Sequence, residues 1–520
     1  MYVYDTENEI SNRLHSFCND GESSLSAEIV GVILNVLESC NKLVKLFRNA
    51  RDLCSSHHMQ SFCASLFGTQ YERSYEKSSS GCIGAIVTDA DHMSGKFDII
   101  IRERDGTPKR ISKLHPLYMA LQYPLLIPFG DAGWSPDLSL RTRDGSRRKM
   151  TINKYYSYIL HDHHNLYTLL LRGGRLFQQY IVDAYVCIEE CRLDYVRKNQ
   201  NVFRSEFLQG IHDAIERGDT EGHDVGKRTF LPSSFVGGPR YMYKHYQYAL
   251  AICRVHGNPQ YFITFTCNVK WPEIQRYLSR YPILKAQDRP DIIARVFQLK
   301  VKSLIKFLRS SRMFGDVVAD LYTIEFQKRG LPHCHLLLWV ATADRIREAY
   351  QIDDFISAEI PNPLTQSQLF AVVTDLMIHG PCGIVNPNSP SMESGSCSKK
   401  FPKDYHEHTT FDDKGNARYR RRSVGFSVNK SGVELDNRYV VPYNPVLCTQ
   451  FTAHINVEYC GWSLLIKYLF KYISKGADRI HYKITRAPTE TQSAQQCDSN
   501  QQNEIQNFLD GRFICPHEAA

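Results

Sequence analysis

The spacing of apolar residues changes along the chain, and each change marks a different kind of secondary structure. From Ser24 to Ala50 apolar residues recur every three or four positions, which predicts an amphipathic helix or a pair of helices. Helical spacing returns from Thr151 to about Gly218. Beyond a segment rich in Gly, Pro and Ser at 231–242, β-branched and aromatic residues take over. The order predicts a mainly helical N-terminal region followed by a region that contains a sheet.

The second half of the chain contains the elements of an antiparallel sheet. Strands are predicted at Tyr261–Cys267, Leu321–Gln327 and Leu336–Val340, with a helix at Ile292–Phe307 between the first two. The last strand begins with His333 and His335 and continues as Leu336–Val340, so only Lys328–Pro332 connect it to the strand before it. This connection includes Gly and Pro, so the two strands are predicted to pair as a hairpin. The predicted fold class is therefore α+β, with a central antiparallel sheet flanked by helices.

A chain of 520 residues is too long to fold around one ordinary hydrophobic core, so several domains are expected. The predicted divisions are an N-terminal region at 1–134 with mixed helices and short strands, a polar linker at 135–150, a helical domain at 151–242, a sheet domain at 243–485 and a polar tail at 486–520. The 16 cysteines include no CxxC pair and no secretory signal precedes them, which predicts free thiols in a reducing compartment. No stretch reaches the ~18 apolar residues of a membrane helix. The net charge of +8 permits a nucleic-acid partner without requiring one.

The pair His333 and His335 is the first candidate for chemistry. Residues two apart on a strand point to the same face of the sheet. Glu325 and Gln327 are also two residues apart on the preceding strand and point to one face, so hairpin pairing can bring either side chain beside the two imidazoles. Two nitrogen ligands and one oxygen ligand, with open positions, suit Mg²⁺ or Mn²⁺. The alternative interpretation is two ordinary histidines in a strand.

A second candidate is a pair of tyrosines, Tyr468 and Tyr472, one turn apart on a helix predicted at 464–476. A basic stripe runs beside them and contains Lys467, Lys471 and Lys475. A phenol has an ordinary pKa of ~10, but neighbouring ammonium groups favour the phenolate and also neutralise a phosphodiester. The pattern therefore fits attack on a DNA backbone. The alternative interpretation is that both rings pack at the edge of an amphipathic helix.

Other polar and basic residues are candidates for DNA contacts. Thr264, Thr266 and Asn268 follow the polar face of the first strand and could hold phosphate oxygens, while Trp271 could stack on a base. A short arginine run around Tyr419 is a candidate for phosphate binding, and it consists of Arg418, Arg420, Arg421 and Arg422. The alternative explanation for the first group is an ordinary edge strand that contains threonines. The alternative for the arginine run is a solvated loop.

A possible structural zinc site is indicated near Cys382 and Cys397, together with His379. Because a closed zinc site requires four ligands, His406 or His408 would have to supply the fourth.

Taken in chain order, these motifs resemble the replication-initiator region of Helitron-like transposases. The motifs are TFTCN with KWPEI, EFQKRGLPHCH, HGPCG with FPK, LDNRYVVPYNP, HINVE and KYLFKYISKG, and the resemblance extends from Leu114 to the C-terminus. It implies an HUH-nuclease-type fold, with a sheet of about five strands. It also implies a metal-dependent single-strand DNA endonuclease and strand transferase of rolling-circle transposition, acting in the nucleus on transposon ends and target DNA.

The resemblance implies roles for individual residues. His333 and His335 match the metal-binding pair of the family, and a third ligand is expected at Glu325 or Gln327. Glu325 stands eight residues before the first histidine, as a glutamate does in similar viral initiators.

Tyr468 and Tyr472 match the two nucleophilic tyrosines of the family, and Lys471 is grouped with them as a catalytic residue. One tyrosine is expected to form a 5′-phosphotyrosyl link and leave a free 3′-hydroxyl. The other is expected to serve the partner strand.

The chain departs from the family pattern in two places. Ser391 stands where relatives tend to have cysteine, which weakens the zinc prediction. The family usually continues into a superfamily-1 helicase, but the chain contains no GxxxxGK[ST] phosphate loop and stops at CPHEAA. We therefore expect a truncated copy, and a helicase activity is disfavoured. A non-catalytic, DNA-binding remnant of the transposase is the alternative to an active nuclease.

Overall fold

The structure is a computed structural model, and its described residues divide into two compact units, Met1–Tyr195 and Val196–Ala520. The residues that it describes are 8–15, 18–19, 22–23, 25–56, 63–67, 84–88, 100–101, 112–142, 144–164, 166–203, 230–326, 331–383, 386–389, 391–413, 415–423, 425–460, 504–509 and 511–520. Within these ranges no helix has the length and apolar character needed to cross a bilayer.

The first unit is built from helices and short strands. Its helices are Glu9–His15, Ala27–Cys40, Lys42–Ser56, Tyr118–Gln122, Ile152–Ile159 and Arg175–Lys198, the last of which continues into the second unit. Its strands are Cys18–Asn19, Glu22–Ser23, Cys63–Phe67, Gly84–Thr88, Ile100–Ile101, Ser139–Arg141 and Arg147–Lys149. The last two strands pair as a hairpin, so the linker predicted at 135–150 contains regular structure.

The helix pair predicted from Ser24 to Ala50 is confirmed, and Asn41 explains its division. The Oδ1 atom of Asn41 accepts the backbone N–H groups of Leu43 at 2.9 Å and Val44 at 3.1 Å. This bond pattern satisfies the first amides of the second helix, as an N-cap does. Leu43 then packs with Leu117 in a small core of the unit.

Four strands form the central sheet of the second unit: β1 (Tyr261–Thr266), β2 (Val317–Phe326), β3 (Pro332–Val340) and β4 (Ile455–Tyr459). Their order is β4–β1–β3–β2, and all neighbours are antiparallel. The strands predicted from β-branched and aromatic content are confirmed, and so is the hairpin of β2 with β3. The resemblance implies about five strands, of which the described residues contain these four.

Five helices of the second unit belong with this sheet: α1 (Pro239–His256), α2 (Pro272–Leu278), α3 (Pro290–Ser311), α4 (Ser367–Leu376) and α5 (Pro445–Phe451). The predicted helix at Ile292–Phe307 is confirmed as α3. The domain boundary predicted at 242/243 falls inside α1.

The two faces of the sheet differ, and the difference locates the candidate site. One face buries Ile263, Phe265 and Leu336 in the main core, where they meet apolar residues of α3. On the other face, Phe262 and Trp339 share a smaller core with α1. Side chains alternate between faces along a strand, so His333 and His335 lie on this second face, beyond the part that packs on α1.

The remaining elements of the second unit are short. They include the strands Met392–Glu393, Ser396–Cys397, Thr410–Phe411, Ala417–Arg418, Val428–Lys430 and Val433–Leu435 and the α-helices Glu504–Leu509 and Pro516–Ala519. The six strands pair in sequence as three hairpins, and Ala417 and Arg418 of the second hairpin line the same cavity as the histidines.

Candidate active site

Two threonines hold the paired histidines from the neighbouring strand. In the register of β3 with β1, His333 lies opposite Thr266 and His335 lies opposite Thr264. The Thr266 Oγ1 is 3.0 Å from His333 Nδ1, and the Thr264 Oγ1 is 3.3 Å from His335 Nδ1. Because each Nδ1 already has a hydroxyl partner, Nε2 is the nitrogen through which each ring can meet a further ligand.

Glu325 is brought to both histidines by the hairpin. It lies directly opposite His333 in the register of β2 with β3. Its Oε2 atom is 3.0 Å from the Nε2 atom of His335, whose side chain is 8% exposed. Gln327, the other predicted third ligand, lies outside the described residues.

The three side chains have the donor chemistry of a Mg²⁺ or Mn²⁺ site. Ligands at adjacent positions of an octahedral ion are ~3 Å apart, which is the separation between Glu325 Oε2 and His335 Nε2. The rings of His333 and His335 are stacked with centroids 6.5 Å apart.

Burial favours the neutral form of the His333 imidazole, which is the form that can bind a metal. Burial and then the neighbouring His335 lower the pKa of His333, although Glu325 opposes them. A third imidazole, His454, precedes β4, and its Nδ1 is 3.4 Å from Thr266 Oγ1. Burial, followed by the proximity of His333, lowers the pKa of His454 to about 4. The sequence reasoning missed His454, because no spacing rule links it to residues 120 positions away.

The histidines open into a cavity of about 1240 Å³. Five cationic side chains line it, namely Lys399, Lys400, Lys403, Arg418 and Arg421, together with the carboxylates Glu325, Asp404, Asp412 and Glu458. Lys399, Lys400 and Arg418 are exposed to solvent. The lysines come from one short run, KKFPK, which was visible in the sequence but was not assigned to the site.

The residues predicted to contact DNA from the first strand have other partners. Thr264 and Thr266 face the site, where their hydroxyls meet the imidazoles. The Asn268 amide donates to the carbonyl of Thr452 at 2.8 Å, which ties the end of β1 to a distant loop. Trp271 is 1% exposed and donates its indole N–H to the Phe451 carbonyl at 2.8 Å. The base-stacking prediction for Trp271 is therefore corrected, since its ring belongs to the core.

The predicted arginine run is mostly structural. Arg421 is 3% exposed, and its Nη1 donates to the carbonyls of Asn437 at 2.6 Å and Val440 at 2.7 Å. Burial lowers its pKa to about 10. Arg422 donates from Nε at 2.9 Å and Nη2 at 2.6 Å to Glu359.

Arg420 forms ion pairs with Asp353 at 3.3 Å and Glu359 at 3.5 Å. Its guanidinium and that of Arg422 therefore already have carboxylate partners. The phosphate contacts predicted for the run are corrected for Arg421, whose guanidinium has almost no exposed surface and is held by main-chain carbonyls.

Arg421→Ala is expected to destabilise the protein by at least about 2 kcal/mol, because buried carbonyls lose their charged donor. The measurement is urea unfolding of the full chain. The exposed Arg418 supplies a matched control, and Arg418→Ala is expected to change stability by less than about 0.5 kcal/mol. Equal stability of the two variants would contradict the structural role of Arg421.

His379, Cys382 and Cys397 come together beside the same cavity. Their ligand atoms all lie within 4.8 Å of one another, and both thiols are buried and free. Burial and the nearby Lys403 lower the pKa of His379. The predicted lysine stripe and both tyrosines, Lys467, Tyr468, Lys471, Tyr472 and Lys475, lie outside the described residues.

One family model matches the chain. It is described as the Helitron helicase-like domain at the N-terminus and covers residues 155–338, about a third of the chain. The match includes the hairpin with Glu325, His333 and His335, and it ends before His379. Among the curated proteins no match is found.

Proposed function

Because this chain is a Helitron-like protein that carries the Helitron helicase-like domain at 155–338, we propose that it nicks and transfers single-stranded DNA. The observation that carries the proposal is the grouping of His333, His335 and Glu325 on one sheet face, at the floor of a cavity with exposed cationic side chains. The domain match supports the transposase family, and the chemistry is our inference from the site. The proposal implies action in the nucleus.

The chain that follows β4 is long enough for the predicted nucleophiles to reach this floor. Asn456 of β4 lies opposite Thr264, which lies opposite His335. Cys460 is four residues beyond Asn456. It therefore lies ~13 Å from His335 along the strand direction and ~10 Å from it across two strand spacings. The eight residues from Cys460 to Tyr468 span ~12 Å as a helix and up to ~28 Å when extended. Chain length therefore allows Tyr468, and likewise Tyr472, to reach the histidines.

The residues would divide the reaction between them. The Oη atom of one tyrosine gives up its proton and bonds to the phosphorus, the bond from phosphorus to the 3′ oxygen breaks, and the released 3′ oxygen takes up a proton to become a hydroxyl. Lys399, Lys400 and Arg418 would offset the negative charge of the strand. A Mg²⁺ or Mn²⁺ ion held by His333, His335 and Glu325 would supply Lewis-acid polarisation of the phosphate. In this scheme Thr264 and Thr266 orient the two imidazoles.

A labelling experiment tests the proposal. The full chain is incubated with Mn²⁺ and an oligonucleotide that carries a label at either its 5′ or its 3′ end. A covalent 5′-phosphotyrosyl link predicts that the 3′-labelled fragment migrates with the protein on a denaturing gel, while the 5′-labelled fragment is released. Binding without any cleavage or adduct would instead favour the DNA-binding remnant.

Single-strand binding is expected to weaken with salt, and the lysines at the cavity should contribute to that dependence. For Lys399→Gln/Lys400→Gln, the slope of log affinity against log salt should fall in magnitude by about 0.7 for each lost phosphate contact. Fluorescence anisotropy with a labelled oligonucleotide measures it.

The matched control is Lys302→Gln/Lys306→Gln, because these exposed lysines lie on α3, which packs on the opposite face of the sheet. The control should keep the slope of the unmodified chain. Equal slopes in all three proteins would remove the lysines from the DNA path.

A further inference from the structure

We infer that His379, Cys382 and Cys397 form a structural zinc site, with the hydroxyl of Ser391 at its fourth position. This site is separate from the histidine pair on the sheet and does not depend on nuclease activity. Three ligands come from a segment with little regular secondary structure, and two of them are buried thiols, at 3% and 8% exposure. Imidazole and thiolate are the donors that zinc prefers.

The distances between these atoms already approach those of a zinc tetrahedron. With Zn–S near 2.3 Å and Zn–N near 2.0 Å, neighbouring donors lie ~3.5–3.8 Å apart. His379 Nε2 is 3.4 Å from Cys397 Sγ, and no pair among the three ligand atoms exceeds 4.8 Å. The His379 ring is held by stacking on Phe401, with centroids 4.2 Å apart. Only small movements are needed to place all three donors on one ion.

Ser391 lies next to the histidine of this cluster. Its Oγ is 3.4 Å from His379 Nε2. Burial acts to raise the pKa of the neighbouring Cys382 and Cys397 thiols, and the Ser391 hydroxyl acts to lower the pKa of both. The backbone fixes this position, because Ser398 donates its N–H to the Ser391 carbonyl at 2.8 Å across the hairpin that contains Cys397. A hydroxyl is a weaker zinc ligand than a thiolate. The site therefore has three strong ligands and one weak one.

The fourth ligand expected from the sequence was His406 or His408, and the structure favours neither. The backbone of His406 pairs with Arg421, and neither histidine is part of the cluster of ligand atoms.

A zinc ion at this site would also anchor the loop that follows Cys397. Lys400 donates its N–H to the Cys397 carbonyl at 2.8 Å, so the ion would also hold the lysines that line the cavity.

Metal content and Co²⁺ spectroscopy test the site without any activity assay. The full chain, purified without chelator, is expected to contain one zinc ion per chain by atomic emission. Replacement by Co²⁺ should produce a sulfur-to-cobalt charge-transfer band, which the nitrogen and oxygen donors on the sheet cannot give. Cys382→Ser and Cys397→Ser should lose this band, whereas the half-buried Cys253→Ser on α1 should keep it.

Ser391→Cys distinguishes zinc binding from a folding defect as the cause of these losses, because this variant adds a ligand and removes none. In a competition with a zinc chelator, its affinity should rise at least about tenfold, and its charge-transfer band should strengthen. His406→Asn should leave both unchanged. The site is refuted by a charge-transfer band that is absent from the unmodified chain or unaffected by Cys397→Ser, or by a zinc affinity that Ser391→Cys does not raise.

Discussion

His333→Ala is expected to reduce metal-dependent nicking by at least about a hundredfold while single-strand binding changes by no more than a few-fold. His333 lies opposite both Glu325 and Thr266, so its loss removes one ligand from the centre of the predicted metal site. The lysines that would contact the strand are untouched. Cleavage of a labelled oligonucleotide in Mn²⁺ and anisotropy with the same oligonucleotide measure the two effects.

Glu325→Gln is the informative companion variant. It keeps an oxygen beside His335 but removes the carboxylate charge, so nicking should fall and a higher Mn²⁺ concentration should be needed. The control for both nicking assays is Tyr405→Phe, because Tyr405 is exposed. Trp271→Phe is unsuitable as a control, because Trp271 belongs to the core. Full cleavage by His333→Ala would exclude the sheet histidines as the metal site.

The largest effect is expected when both predicted nucleophiles are removed. Tyr468→Phe/Tyr472→Phe should form no covalent DNA adduct, because phenylalanine lacks the attacking oxygen but keeps the ring. One single variant should lose most of the initial nicking, whereas the other should still nick but fail at strand transfer. Denaturing gels of protein with labelled oligonucleotide read all three results directly.

Tyr459→Phe is the matched control for the tyrosine variants. Tyr459 also borders the cavity, but burial raises its pKa, which makes its phenol a poorer nucleophile. Adduct formation should therefore persist in Tyr459→Phe. An adduct that survives in Tyr468→Phe/Tyr472→Phe would end the two-tyrosine hypothesis and make Tyr459 the next candidate.

The local part of the site could be predicted from the sequence because it depends on short-range rules. The two-residue period of a strand places His333 and His335 on one face, and a short connection forces the preceding strand to pair with theirs. Those two facts bring Glu325 to the histidines without any knowledge of the remaining fold.

Composition could not distinguish a surface residue from a buried one of the same type. Trp271 and Arg421 look like binding residues in isolation, since an indole can stack on a base and a guanidinium can bind phosphate. Each is buried because carbonyls from distant segments receive its N–H groups, at Phe451 for the first and at Asn437 and Val440 for the second. Such partners are set by chain packing, which has no local periodicity.

Local patterns of residues were therefore sufficient to predict the α+β class, the hairpin and the shared face of the two histidines. Only the folded structure brings His454 beside Thr266 and places the KKFPK lysines along the cavity of the histidines. The physical reason is the same in each case. These contacts join segments whose separation along the chain carries no periodic signal, so they exist only after the sheet, the loops and the buried polar groups have packed together.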